Sequence, residues 1–266
     1  MHPRLLTSLV LLDSIILPLA AVAGSVKSLL QMSTFRRDLW PSRKAAVASF
    51  NKAAVYRAWD PRVLQKWIES GLRNAPTIIH PNEPTTSVTL ATSPAQEGFT
   101  TDRPNFEQYG TAGTPINRVT HADVTPRSDL LEHKFYRPEI YLALNRLPEL
   151  RPSVLFVRGG SSPLGTTESH EDIVSKTGTG IGGSGGKEEG RVDGTVLDKV
   201  GHLIPMETPG RSAQVAAAWI GTQVMQVMQE ESNWKRDWDL RTLKQKQEID
   251  DVWRQIVGGP SKRSKM

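Results

Sequence analysis

Gly201-His202-Leu203-Ile204-Pro205-Met206-Glu207-Thr208-Pro209 is the stretch that decides how this chain is read. It follows Thr195-Val196-Leu197, inside a strand-like run over about 194–199. It precedes Val215, Ala218, Trp219, Met225 and Met228, an apolar stripe at helical spacing that reads as a packing face. A histidine at a strand-to-helix junction is a candidate base. Taken alone, a histidine after glycine is more often a loop residue. One companion is missing: no Gly-x-Ser-x-Gly falls on a strand-to-helix turn, the sharp bend that would present a nucleophile.

Moving outward, Ser153-Val154-Leu155-Phe156-Val157 is a buried strand ending at Arg158-Gly159-Gly160-Ser161-Ser162-Pro163. Leu9-Val10-Leu11-Leu12, between Ser8 and Asp13, reads as another, ending in a carboxylate. The order strand, helical insert, strand, loop, strand, histidine, helix is an α/β signature with parallel strands. Within the insert, Ser42 is expected to cap a helix through about Tyr56, and Asp60-Pro61 to start another that runs to Gly71. Val63, Leu64, Trp67 and Ile68 form its apolar face. Residues 74–130 have little periodicity; only Val88-Thr89-Leu90 suggests a strand, so the region is read as loop-rich and partly mobile.

Two glycine-rich readings fail on context. Gly-Thr-Gly-Ile-Gly-Gly-Ser-Gly-Gly at 178–186 lacks the Gly-Lys-Ser/Thr of a phosphate loop and stands among charged residues. Gly182-Gly183-Ser184-Gly185-Gly186 formally spells Gly-x-Ser-x-Gly, but glycine this dense makes a poor strand and a poor helix, so Ser184 is not taken as a nucleophile. The stretch is read as a flexible surface loop.

Composition narrows the rest. There are 266 residues, 38% hydrophobic, with 21 glycines, 18 prolines and no cysteine, which excludes disulfides and thiolate chemistry. The six histidines, at 2, 80, 121, 133, 170 and 202, show no metal-binding spacing, and no cofactor motif is present. The net charge of +5 is partly terminal, but basic and acidic residues alternate from Glu230 to Lys265, as on a solvated helix face rather than a nucleic-acid groove. The N-terminus imitates a secretory leader, an apolar run followed by Ala21-Val22-Ala23-Gly24, but Asp13 interrupts the run. No run reaches the roughly 18 apolar residues of a membrane helix.

Taken in order, these segments resemble fungal α/β-hydrolases of the toxin-biosynthesis and peroxisomal-lipase type. The resemblance rests on His2-Pro3-Arg4-Leu5, Ser8 to Asp13, Tyr56-Arg57-Ala58-Trp59-Asp60-Pro61-Arg62-Val63 and on to Trp67. Arg103-Pro104-Asn105-Phe106, Phe135-Tyr136-Arg137-Pro138-Glu139, Leu147 to Ser153 and the glycine-rich loop add to it. It implies a partial α/β-hydrolase fold, its last parallel strands and helices, with a helical, loop-rich lid insertion. Residues 1–24 would be a core strand and its loop, 25–150 the lid, 151–232 the C-terminal part of the core and 233–266 a charged helix and tail.

The resemblance carries His202 over as general base. Its acid commonly follows the seventh strand in a Gly-x-x-Asp-Pro context, where this chain has Gly159-Gly160-Ser161-Ser162-Pro163. A serine cannot hold a charge against imidazolium, so the role passes to Asp13, an alternative position in some relatives, with Glu168 a weaker candidate; Asp13 capping a loop stays open. Trp40, Trp59, Trp67 and Phe99 fall in the lid, where they suit a small apolar ester or acyl substrate or simply form lid core. Ser264-Lys265-Met266 is similar to the Ser-Lys-Leu peroxisomal address, implying an import receptor as partner and a peroxisomal rather than cytoplasmic location.

The expectation is an esterase- or lipase-like hydrolase lacking its nucleophile elbow, incompetent by itself, with an exposed sheet edge and poor solubility. A non-catalytic binding or regulatory protein on the same remnant is the alternative. A secreted protein that has lost residues 1–23 is a third reading.

Overall fold

The computed structural model describes residues 5–18, 29–110, 113–124 and 134–259. Its strands are β1 (Ser8–Leu12), β2 (Leu39–Trp40), β3 (Leu72–Asn74), β4 (Val88–Leu90), β5 (Arg103–Pro104), β6 (Phe135–Tyr136), β7 (Ser153–Gly159) and β8 (Val192–Leu197). Residues 1–217 form one compact unit and 218–266 a second.

The central sheet has the order β1-β7-β8, parallel throughout. Leu12 pairs with Val157, and Gly159 with Leu197, so the carboxyl ends of all three strands finish side by side. Consecutive β7 residues Val154, Leu155, Phe156 and Val157 are all buried, as expected of a strand covered on both faces. On one face Val154 and Phe156 pack with Ile16, Leu147, Val174 and Val192. The helices Glu139–Arg146 and Thr167–Lys176 bring Leu144 and Ile173 to this cluster.

The insert has a core of its own. β2, β4 and β3 form a small antiparallel sheet. Against it Trp40, Phe50, Tyr56 and Leu72 are buried, with Trp59, Leu64, Trp67 and Ile68 packed around them. Trp40–Phe50 and Tyr56–Trp59 meet edge to face, with ring centroids 5.3 and 5.0 Å apart. Such pairs contribute about 0.5–1.5 kcal/mol each beyond the area they bury. The three lid tryptophans are therefore core, whereas Phe99 is exposed.

Several local readings hold. Ser42 accepts from the Ala45 N–H and Asp60 from that of Arg62, and Pro61 opens the helix Pro61–Ser70. The first of these helices ends earlier than its pattern suggests, at Lys52. Ala53 is extended (φ −76°, ψ 130°) and a separate turn, Ala54–Arg57, follows. The break lets the Tyr56 ring come within 4.9 Å of Phe50. β8 starts two residues before the expected strand, at Val192, because its register with Val154 sets the pairing. In the loop-rich region a helix, Pro94–Thr101, carries a capping box between Ser93 and Gln96.

Two expectations are corrected. The glycine-rich loop is pinned rather than flexible: Gly178 and Gly180 donate to the carbonyls of Leu147 and Pro148 at 2.8 Å each. A Cβ on Gly183 would lie 2.4 Å from the Gly178 carbonyl oxygen and 2.5 Å from that of Pro148, so glycine here serves close packing. Glu168 stands on the helix Thr167–Lys176 and not in a flexible stretch. Met225 and Met228 are exposed. No helix among the described residues is long and apolar enough to cross a membrane.

Candidate active site

β1 ends and the chain turns sharply at Asp13. Its φ of 47° lies in the left-handed region, which asparagine and aspartate tolerate better than most residues. The Asp13 N–H donates to the Val157 carbonyl at 2.7 Å, and its side chain is almost wholly buried beneath the loop that follows β7. The Gly159 N–H reaches Oδ1 at 2.9 Å. The Ser162 hydroxyl reaches Oδ2 at 2.5 Å. Nδ1 of His202 reaches the same Oδ2 at 2.7 Å.

Asp13 and His202 are thus brought together although β7 separates their strands in the sheet. A carboxylate only accepts, so the bond fixes the proton on Nδ1 and leaves Nε2 free to accept one. His202 is one-third exposed at its side chain, and among the described residues Nε2 has no hydrogen-bond partner. Burial acts to raise the Asp13 carboxyl. The hydrogen bonds from His202, Ser162 and the Gly159 N–H outweigh it and hold the group below its ordinary value of 3.8. The aspartate therefore stays ionised opposite the imidazole at neutral pH.

The loops that carry these residues are joined by backbone bonds. Gly160 donates to Leu197 and Ser161 to Val200, both at 2.9 Å. A Cβ on Gly159 would lie 2.1 Å from the Gly201 carbonyl oxygen, so the two loops approach as closely as they do only because residue 159 has no side chain. Glu207, in the helix Ile204–Glu207, accepts from the Gly201 N–H at 2.6 Å and anchors the residue before His202. The Asp60 N–H donates to the Met206 carbonyl at 2.8 Å, tying the insert to that helix.

The remaining candidates stand apart. Glu168 is exposed, and the Ser184 Oγ accepts from the Gly186 N–H at 3.4 Å within its own loop. A second histidine–carboxylate pair, His80 with Asp38 at 3.1 Å, has an aspartate side chain 22% exposed against 3% for Asp13. Water reaches that aspartate more than Asp13, and the pair lies in the insert rather than at the sheet's carboxyl edge. Ser162 and Glu207 were not assigned roles from sequence; a hydroxyl or carboxylate in a loop has no local mark of what it touches. Residues 264–266 lie outside the described residues. Residues 8–12, part of the apolar run of the leader reading, form a strand of the central sheet.

No family model matches the chain. It is 34% identical over 252 residues to a type I acyl-CoA thioesterase, mpaH, of Penicillium roqueforti, covering 88% of this chain and 57% of that protein. It is 26% identical over 217 residues to the abhydrolase domain-containing protein AFT2-1 of Alternaria alternata, covering 82% and 74%. The peroxisomal α/β-hydrolase Lpx1 of Saccharomyces cerevisiae superposes with a TM-score of 0.54 at 11% identity, covering 94% of this chain and 58% of that one, which speaks to fold alone. The chain spans rather more than half of the thioesterase it matches. It is a homologue of fungal α/β-hydrolases, the family its sequence resembles, and has their fold.

Proposed function

We propose that this chain provides the acid and base of a serine hydrolase acting on acyl esters or thioesters, with His202 as base and Asp13 as acid. The observation that carries the reading is the 2.7 Å bond between His202 Nδ1 and the buried, ionised Asp13. The serine that His202 would serve belongs, on this reading, to a segment outside the present sequence. Its hydroxyl would give its proton to Nε2 as the oxygen attacks the acyl carbonyl. Asp13 would stabilise the imidazolium, which returns the proton to the departing thiol or alcohol. Water would then cleave the acyl-serine by the same base in a second cycle. A thioester is the favoured substrate class, since relatives matched over most of this chain are named as acyl-CoA thioesterases.

The test is hydrolysis of acyl-CoA thioesters and acyl esters by the full translation product of the natural transcript. Expected are turnover and labelling by a fluorophosphonate, with His202→Ala lowering kcat by about 10³-fold or more while the circular dichroism spectrum is kept. Undiminished turnover in His202→Ala overturns the reading. An unlabelled, inert product also overturns it and favours the non-catalytic alternative.

For location, we infer that Ser264-Lys265-Met266 works as a peroxisomal address recognised by an import receptor, provided it ends the natural chain. A fluorescent protein fused ahead of residue 1 should then mark peroxisomes and become diffuse when 264–266 are deleted. A diffuse signal from the intact fusion would sink this assignment.

A further inference from the structure

We propose that Ser162 is a positioning residue for the acid–base pair: its hydroxyl locks the Asp13 carboxylate in the orientation that presents Oδ2 to His202. The inference rests on the reading of Asp13 and His202 given above and extends it to a residue with no charge of its own.

The direction of the Ser162 hydroxyl follows from its neighbours. The Leu164 N–H donates to Oγ at 3.2 Å, so Oγ is an acceptor on that side. The remaining hydroxyl proton points to Asp13 Oδ2, 2.5 Å away. Ser162 is 7% exposed, so water offers no competing partner. A serine serving only to turn the loop after β7 would accept from Leu164 and donate to solvent. Here the donation is spent on the carboxylate.

Each Asp13 oxygen then has its own fixed donor from this loop, Gly159 N–H on Oδ1 and Ser162 on Oδ2. Two donors on different oxygens define the carboxylate plane, which one donor would leave free to rotate. His202 adds the third bond, to the oxygen already held by Ser162. Sharing Oδ2 between two donors also makes it a weaker base, so the proton stays on Nδ1 and does not pass to the carboxylate. An aspartate at 162 would set a second carboxylate against Oδ2, and the two like charges could not both ionise on one seat. Serine there is what an acid placed on β1 requires.

The experiment uses the chain of 266 residues and nuclear magnetic resonance. It follows the His202 Nδ1–H proton and the titration of the Asp13 carboxyl carbon. In the unaltered protein the Nδ1–H resonance should lie far downfield, protected from exchange, and vanish in Asp13→Asn. In Ser162→Ala the same resonance should be lost to exchange and the Asp13 titration should move upward. Ser162→Cys, which keeps the volume with a weak donor, should show the same two changes, so the test survives if the alanine variant fails to fold. Ser162→Thr, which restores the hydroxyl, should reverse both. Resonance and titration unchanged in folded Ser162→Ala or Ser162→Cys overturn the role of Ser162 while leaving the pair intact. A resonance missing from the unaltered protein, or surviving in Asp13→Asn, overturns the acid–base reading itself.

Discussion

Asp13→Asn is expected to lower kcat of the full translation product by roughly 10³–10⁴-fold with little change in KM. The reason lies in which atom of the amide goes where. The Gly159 N–H requires an acceptor at the Oδ1 position, so the asparagine carbonyl sits there and its NH₂ takes the place of Oδ2. That NH₂ faces His202 Nδ1 and donates to it. The imidazole proton is driven to Nε2, where it blocks the acceptance of a proton from serine. The ring stays in place and the tautomer is wrong, which is why the loss falls on kcat.

The same substitution has a pH signature. The folded-state value of Asp13 lies below the ordinary 3.8, so its stabilising contribution is complete above about pH 4 and is lost as pH falls through the folded value. Urea unfolding should find Asp13→Asn destabilised by roughly 1–3 kcal/mol at pH 7. The gap should narrow as the pH drops from about 4 through the lower folded-state value, where the aspartate itself becomes neutral. A gap of the same size at pH 7 and pH 3, or an unaltered kcat, would contradict the assignment.

Gly159→Ala is expected to act on both stability and catalysis without touching a reacting group. Its Cβ would stand 2.1 Å from the Gly201 carbonyl oxygen and 2.7 Å from that of Val200. Both obstacles are backbone, so neither can be moved by a change of rotamer. The segment that delivers His202 must shift by about 1 Å, a displacement that costs on the order of 10²-fold in rate. Overpacking of this kind destabilises by roughly 1–3 kcal/mol. Gly221→Ala is the comparison: it lies in the helix Pro209–Asp239 with nothing within 4 Å of its added Cβ. That change should stabilise by up to about 1 kcal/mol through helix propensity and leave turnover alone. Equal effects of the two substitutions would refute the steric account.

How far the sequence carried can be judged residue by residue. The limits of β1 and β4, the cap at Ser42 and the start at Asp60-Pro61 are local facts. Apolar runs bounded by polar residues, a side-chain oxygen before a helix and a proline at its first position act over a few residues, so they are legible in a window of that size. The break at Ala53 was not, because what favours it is the packing of Tyr56 on Phe50. The aromatic lid residues looked alike in sequence, yet three tryptophans joined a core and Phe99 did not.

The sequence alone determined the α/β class, and its resemblance singled out His202 and Asp13 as candidates for a base and an acid. Only the tertiary structure decided that they meet, and through what. The bonds that make the seat join Asp13 to residues 146, 149 and 189 positions away. Parallel pairing of β1 and β8 with β7 is what brings those distant residues to one edge. A hydroxyl such as that of Ser162 acquires its role from the partner it faces, and facing is a property of the folded chain.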